Sequence, residues 1–123
     1  MTLRQDLKKA VVVGLGYIAL PTSVVIARAG IQVLGVDINS STVEAVNAAR
    51  CPIQEPDLQE ALEESVAASR FCADIKTAEA NVFIIAVPTP FTGGYQPDLS
   101  YVEAATRSIA PFLKKGNLVI VES

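Results

Sequence analysis

The sequence predicts an α/β fold, a doubly wound parallel sheet with helices on both faces. Three observations carry that prediction. Short β-branched runs alternate in strict turn with segments of helical periodicity. Half of the 123 residues are hydrophobic and 19% are charged, as strands buried on both faces require. A glycine turn, Gly14-Leu15-Gly16, sits where the first strand gives way to the first helix. Residues 1–123 read as one domain, long enough to build a core without disulfides or metal.

The first strand is Lys9–Val13, an apolar β-branched run after two lysines. The first helix is expected from about Tyr17 to Ala29, with Pro21 early enough to be tolerated and Gly30 as its stop. The second strand, Gln32–Val36, leads into Asp37. A second helix starts near Ser41, where Ser41 and Glu44 have capping-box spacing. Asp57 and Glu60 repeat that spacing, and Leu58, Leu62 and Val66 follow at the i, i+4, i+8 interval of one buried helical face. A short strand is expected at Arg70–Ala73 and a fully buried central one at Asn81–Val87, ended by Pro88 and Pro90. From Pro88 to Asp98 three prolines and two glycines predict a long surface loop rather than an element. Ser100 and Glu103 then cap a helix whose apolar stripe is Val102, Ala105, Ile109 and Phe112, and Leu118–Val121 is the last strand. The rhythm predicts the strand order 3-2-1-4-5, with a ligand crevice at the carboxyl ends of the first and fourth strands. The fold is expected to be truncated after this fifth strand, leaving a bare sheet edge.

Composition removes several function classes. A net charge of −3 and a pI near 4.9 provide no basic stripe for a nucleic-acid backbone. Histidine is absent, which removes histidine bases, triads and zinc sites from this segment, and no metal site is expected. Cys51 and Cys72 form neither a disulfide framework nor a CxxC pair, as in a reducing, cytoplasmic setting. Neither has a histidine beside it to activate a thiolate, so both read as structural. The uncharged run Ala10–Ala27 is not read as a signal peptide or membrane span, because Gly14, Gly16 and Pro21 interrupt it and it falls short of the ~20 residues a span needs.

The chemistry-bearing pattern is Gly14-Leu15-Gly16-Tyr17-Ile18-Ala19, a GxGxxA sequence between strand and helix. Gly14 permits the tight turn, Gly16 lets backbone approach a pyrophosphate, and Ala19 is small enough for close packing of helix on strand. The helix start, with its free amides and positive dipole end, receives the anion. Asp37, about 20 residues further on, is placed to accept hydrogen bonds from adenosine ribose hydroxyls and to repel a 2′-phosphate. NAD is therefore favoured over NADP in this Rossmann-type domain, and Thr42 supplies no charge to reverse that. Past the central strand, Val87-Pro88-Thr89-Pro90 stiffens the exit and presents the Thr89 hydroxyl. From spacing alone this is equally an ordinary strand exit, and Glu55 before Pro56 equally a solvated residue.

Taken in order, VVVGLGYIALP (Val11–Pro21), GVDIN (Gly35–Asn39), EPDL (Glu55–Leu58), IAVPTPF (Ile85–Phe91), PDLSYVEAA (Pro97–Ala105) and SIAPFLKKGNLVIVES (Ser108–Ser123) resemble the amino-terminal domain of the UDP-glucose/GDP-mannose dehydrogenase family across the whole chain. The resemblance implies oxidation of the C6 alcohol of a UDP-sugar to a carboxylate with two NAD, through a covalent intermediate on a cysteine, for surface polysaccharide. It implies that Gly14, Gly16, Tyr17, Ile18, Asp37, Val87, Pro88 and Thr89 form the cofactor site, with Thr89 beside the nicotinamide half and Glu55 near the cleft. It also implies that the catalytic cysteine and lysine lie on substrate and carboxy-terminal domains absent from this segment, and that the full-length enzyme is a homodimer. Ala19 and Ala49 stand where relatives commonly have glycine, and Thr42 where some carry a basic residue. The other reading is a regulatory NAD-sensing Rossmann module without catalysis, which has little use for EPDL or the VPTPF loop.

Overall fold

The computed structural model describes residues 8–122, the side chain of Thr92 excepted. Its strands and helices alternate as β1 (Lys9–Val13), α1 (Ala19–Arg28), β2 (Gln32–Val36), α2 (Ser40–Asn47), α3 (Pro56–Ala67), β3 (Phe71–Asp74), β4 (Val82–Ile85), β5 (Phe91–Thr92), β6 (Gln96–Pro97), α4 (Ser100–Ile109) with a 3₁₀ turn at Ala110–Phe112, and β7 (Leu118–Val121). The main sheet runs β3-β2-β1-β4-β7, every pairing parallel. This is the predicted 3-2-1-4-5 order once the two short strands β5 and β6 are set aside.

Strand periodicity builds the double winding. On β1, Ala10 and Val12 join a core on one face with Leu20 and Val24 of α1 and Leu58, Ala61 and Leu62 of α3. Val11 and Val13 turn to the other face and pack with Phe83, Ile85, Ala105 and Ile109. Because side chains alternate along a strand, one unbroken apolar run feeds two cores. Phe83, Leu20, Leu62, Ile85 and Ile109 are among the largest fully buried side chains. Each is worth about 1.5–3 kcal/mol of burial.

The structure changes the predicted boundaries and caps. The first helix begins at Ala19 rather than Tyr17, with no side chain capping it. Serine and aspartate capping boxes do not form: Asn39 caps α2, its Oδ1 accepting the Ser41 amide at 3.0 Å, and α3 starts on Pro56 after the extended Glu55. In each case a residue that fixes the non-helical entry lies one or two positions earlier than the box. At α4 the entry is held by Asp98, whose carboxylate accepts the Ser100 amide at 2.9 Å. Hydrogen bonds from the Ser100 hydroxyl and amide hold the Asp98 carboxyl below its usual range. The third strand is Phe71–Asp74 rather than Arg70–Ala73, and the central one stops at Ile85 rather than Val87. The proline-rich loop contains an element after all, an antiparallel pairing of Phe91 with Pro97 and Thr92 with Gln96. Two-residue strands leave no periodicity to read.

Helix ends follow one device. In α1 the Gly30 amide donates to Ala27 and Ile31 to Ile26, and in α2 Ala49 donates to Val46 and Arg50 to Ala45. Both are 6→1, 5→2 closures that put the first residue after the cap in the left-handed region. Gly30 adopts φ +93 freely, whereas Ala49 is forced to φ +58. Ala49→Gly is expected to raise stability by about 0.5–1 kcal/mol, relief of left-handed strain exceeding the added unfolded-state entropy. A urea midpoint that stays put or falls would refute this.

The two sheet edges differ. Asn47 covers β3, its amide donating to the Ala73 carbonyl at 2.9 Å and its oxygen accepting the Ala73 amide at 2.8 Å. All four residues of β7, by contrast, are exposed, from 40% for Val119 and Ile120 to 59% for Val121. An apolar open edge of this kind pairs with other chains. Sedimentation velocity on this chain is expected to show association that grows with concentration and that Ile120→Lys suppresses. A clean monomer throughout the series would count against it.

Candidate dinucleotide site

Three strand ends converge where β1 leaves the sheet. The Gly14 amide donates to the Val36 carbonyl at 2.7 Å, and the Ala86 amide to Val13 at 2.9 Å. A Cβ built on Gly14 would lie 2.5 Å from the Ala86 carbonyl oxygen, and its φ is +101. Glycine is therefore required here both by conformation and by contact. At Gly35 the constraint is side-chain packing: a Cβ there would lie 2.6 Å from the end of the buried Leu15 side chain, which would have to shift.

Gly16 differs from both. It has no positive φ, and a Cβ on it would meet nothing within 4 Å. The fold gives no internal reason for a glycine at this position. The open space lies at the start of α1, which has no acidic residue in its first turn. Among the described residues the amides of Gly16, Tyr17 and Ile18 donate to no protein acceptor. Free amides at the positive end of a helix dipole make an anion site.

Asp37 closes this turn. Its Oδ2 accepts the Leu15 amide at 2.9 Å and its Oδ1 the Asn39 amide at 2.9 Å, so the carboxylate ties the glycine turn to the end of β2. The remaining lone pairs are available to hydroxyl donors.

A cleft of about 900 Å³ opens over these residues, walled by Val13–Ile18, Val36–Asn39, Thr42, Ile75–Thr77, Ala86–Pro88 and one side of α4. It lies at the carboxyl ends of β1, β2 and β4, where the strand order reverses. Of the residues singled out from sequence, Gly14, Gly16, Tyr17, Ile18, Asp37, Val87 and Pro88 line it, and Thr89 does not. Thr89 is half-buried one residue past the wall, where the chain turns into the β5–β6 hairpin and the Asp98 amide closes on Pro90 at 2.6 Å. Glu55 lies in a separate shallow depression with Cys51, Ile53 and Gln59. Cys51 is half-buried and Cys72 exposed, and neither lines the cleft.

Sequence reasoning missed Ile38, Asn39, Ile75, Lys76, Thr77 and Tyr101. The residues after β3 were within reach, since the order 3-2-1 puts the exit of the third strand beside Asp37. Tyr101 required the position of α4. Ile38 is 90% exposed and Ile75 52%, two apolar side chains flanking a carboxylate at the cleft edge.

The fold, the glycine turn and the free helix amides together define a dinucleotide-binding α/β domain. The chain belongs to the UDP-glucose/GDP-mannose dehydrogenase family: residues 8–123 match its NAD binding domain. It is 50% identical over 112 residues to the UDP-N-acetyl-D-mannosamine dehydrogenase of Escherichia coli K12, covering 91% of this chain and 27% of that protein. It is 49% identical over 118 residues to the NDP-N-acetyl-D-galactosaminuronic acid dehydrogenase of Ralstonia nicotianae, covering 96% of this chain and 28% of that one. The solved structure of a UDP-N-acetyl-mannosamine dehydrogenase from Staphylococcus aureus superposes with a TM-score of 0.92 at 47% identity, over 94% of this chain and 29% of its own. The chain thus spans less than a third of the length of these relatives. No helix among the described residues is long and apolar enough to cross a membrane, and no cluster of His, Cys, Asp or Glu among them fits a metal ion.

The two glycines separate experimentally. Gly14→Ala is expected to cost about 3 kcal/mol of folding stability, from left-handed strain and the clash with Ala86. Gly16→Ala is expected to stay within about 1 kcal/mol of the parent. Thermal melts showing equal losses would contradict the distinct roles.

Proposed function

We propose that the cleft binds NAD and that this segment is the cofactor-binding part of a nucleotide-sugar 6-dehydrogenase, which oxidises the C6 alcohol of a UDP-sugar to the uronic acid with two NAD. The observation that carries the reading is Gly16, a glycine that neither conformation nor packing requires, where a Cβ would meet nothing within 4 Å, beside free helix amides. Pyrophosphate oxygens approaching within hydrogen-bonding distance of backbone account for it.

In this assignment Gly14 shapes the turn and the amides of Gly16, Tyr17 and Ile18 hold the pyrophosphate. The Asp37 carboxylate orients the adenosine ribose through its hydroxyls and repels a 2′-phosphate. Ile38 and Ile75 cover the purine faces, which explains two apolar side chains left in water. Val87 and Pro88 form the wall toward the nicotinamide, a stiff surface without a Pro88 amide to hydrate. Thr89 belongs to this group on the family resemblance alone. NAD, when bound, accepts hydride from the substrate carbon.

The nucleophilic cysteine and the catalytic lysine are assigned to the parts of the enzyme beyond this segment. Two thiols remote from the cleft support that assignment. This segment by itself binds cofactor and oxidises nothing, and the full-length enzyme acts as a cytoplasmic homodimer. The relatives described above are dehydrogenases, which gives the purely regulatory NAD-sensing reading no support.

Calorimetric titration of the chain with NAD and with NADP tests the reading. NAD is expected to bind and NADP to bind at least ~10-fold more weakly, as a carboxylate facing a 2′-phosphate dictates. Asp37→Ala is expected to weaken both nucleotides, since Asp37 also holds the glycine turn, and to collapse the ratio between them. A folded chain that binds neither nucleotide, or a ratio unchanged by the substitution, would overturn it.

A further inference from the structure

The segment after β2 brings no cation to the ribose end of the cleft, because position 42 is threonine. A different strand does. β2 and β3 are parallel with Val36 beside Asp74, so both leave the sheet at the same end, and the Asp37 amide donates to the Asp74 carbonyl at 3.2 Å. The Asp74 carboxylate accepts the Ile75 amide at 2.7 Å and the Lys76 amide at 3.3 Å. That Asx turn folds the strand exit back on itself, and Lys76 joins Asp37, Asn39 and Thr42 in lining the cleft.

No ion pair among the described residues uses this charge. The two ion pairs among the described residues are Arg28–Glu64 and Lys114–Glu79, and Lys76 is exposed. A lysine in no ion pair among the described residues, and lining the same cleft as the carboxylate, is available to an anionic ligand.

We propose that Lys76 is a specificity-determining residue at the 2′ position of the adenosine ribose. Asp37 repels a 2′-phosphate and the Lys76 ammonium attracts it, so the discrimination between NAD and NADP is the difference of two opposed interactions from two strands. Lys76 narrows a preference that Asp37 alone would make wider. The inference rests on the NAD reading of the cleft.

The test is calorimetric titration of the chain, as parent, Lys76→Gln and Lys76→Arg, with NAD, NADP and adenosine 2′-monophosphate. Lys76→Gln is expected to weaken NADP and adenosine 2′-monophosphate by ~5- to 10-fold while NAD stays within about twofold, Lys76→Arg to retain parental values, and the glutamine effect to shrink in 0.5–1 M salt, where charges are screened within ~3–5 Å. The position is exposed, so folding is undisturbed, and a thermal melt checks it. Equal changes for NAD and NADP, or no change in either, overturn the role of Lys76 and leave the NAD reading standing. A parent chain that binds no nucleotide overturns both.

Discussion

The site depends on one close approach. At Gly14 the backbone of β1 leaves the sheet against the Ala86 carbonyl, with no room for a side chain, while its amide is held by Val36. This contact brings the carboxyl ends of β1, β2 and β4 together. From it follow the direction in which α1 starts, the free amides of its first turn and the position of Asp37 beside Leu15. A helix start is an anion site only if its amides face open space, and it is the turn at Gly14 that leaves them facing the cleft.

Around that junction the glycines divide by physical cause. Gly14 and Gly35 are held by the protein's own atoms, a carbonyl in one case and the Leu15 and Phe71 side chains in the other. At Gly16 an added side chain would meet no other atom of the described residues within 4 Å. The same sequence symbol thus records a constraint of folding at two positions and, in the proposed reading, a constraint of ligand approach at the third. Ala19, the last residue of the GxGxxA pattern, is fully buried in the core, so its methyl is accommodated by helix-to-sheet packing. At Ala49 a residue with a Cβ is held at φ +58, a conformation that favours glycine.

Asp37 couples stability to recognition. A carboxylate that accepts two backbone amides is already organised before any ligand arrives, which lowers the cost of ordering it on binding. The same coupling makes it a poor single reporter of ligand contact, because its loss loosens the glycine turn proposed to receive the pyrophosphate. Lys76 has no such double role, since no ion pair among the described residues involves it.

Local sequence determined the alternation of strands and helices, their order in the sheet, the glycine turn and the acidic residue after the second strand. Those features follow from periodicity and backbone conformation, which act between near neighbours in the chain. The capping boxes misled because Asn39, Pro56 and Asp98 fix the helix entries, and which of several polar residues caps a helix depends on the path of the backbone into it. The short hairpin at Phe91–Pro97 was invisible because two residues carry no period. The tertiary structure alone decided that Tyr101 lines the cleft, that Thr89 falls outside its wall and that Glu55 lies apart. It also decided that a side chain at Gly16, unlike one at Gly14, would meet open space. Each of these is a distance between segments far apart in sequence, set by parallel register and helix packing rather than by any local pattern.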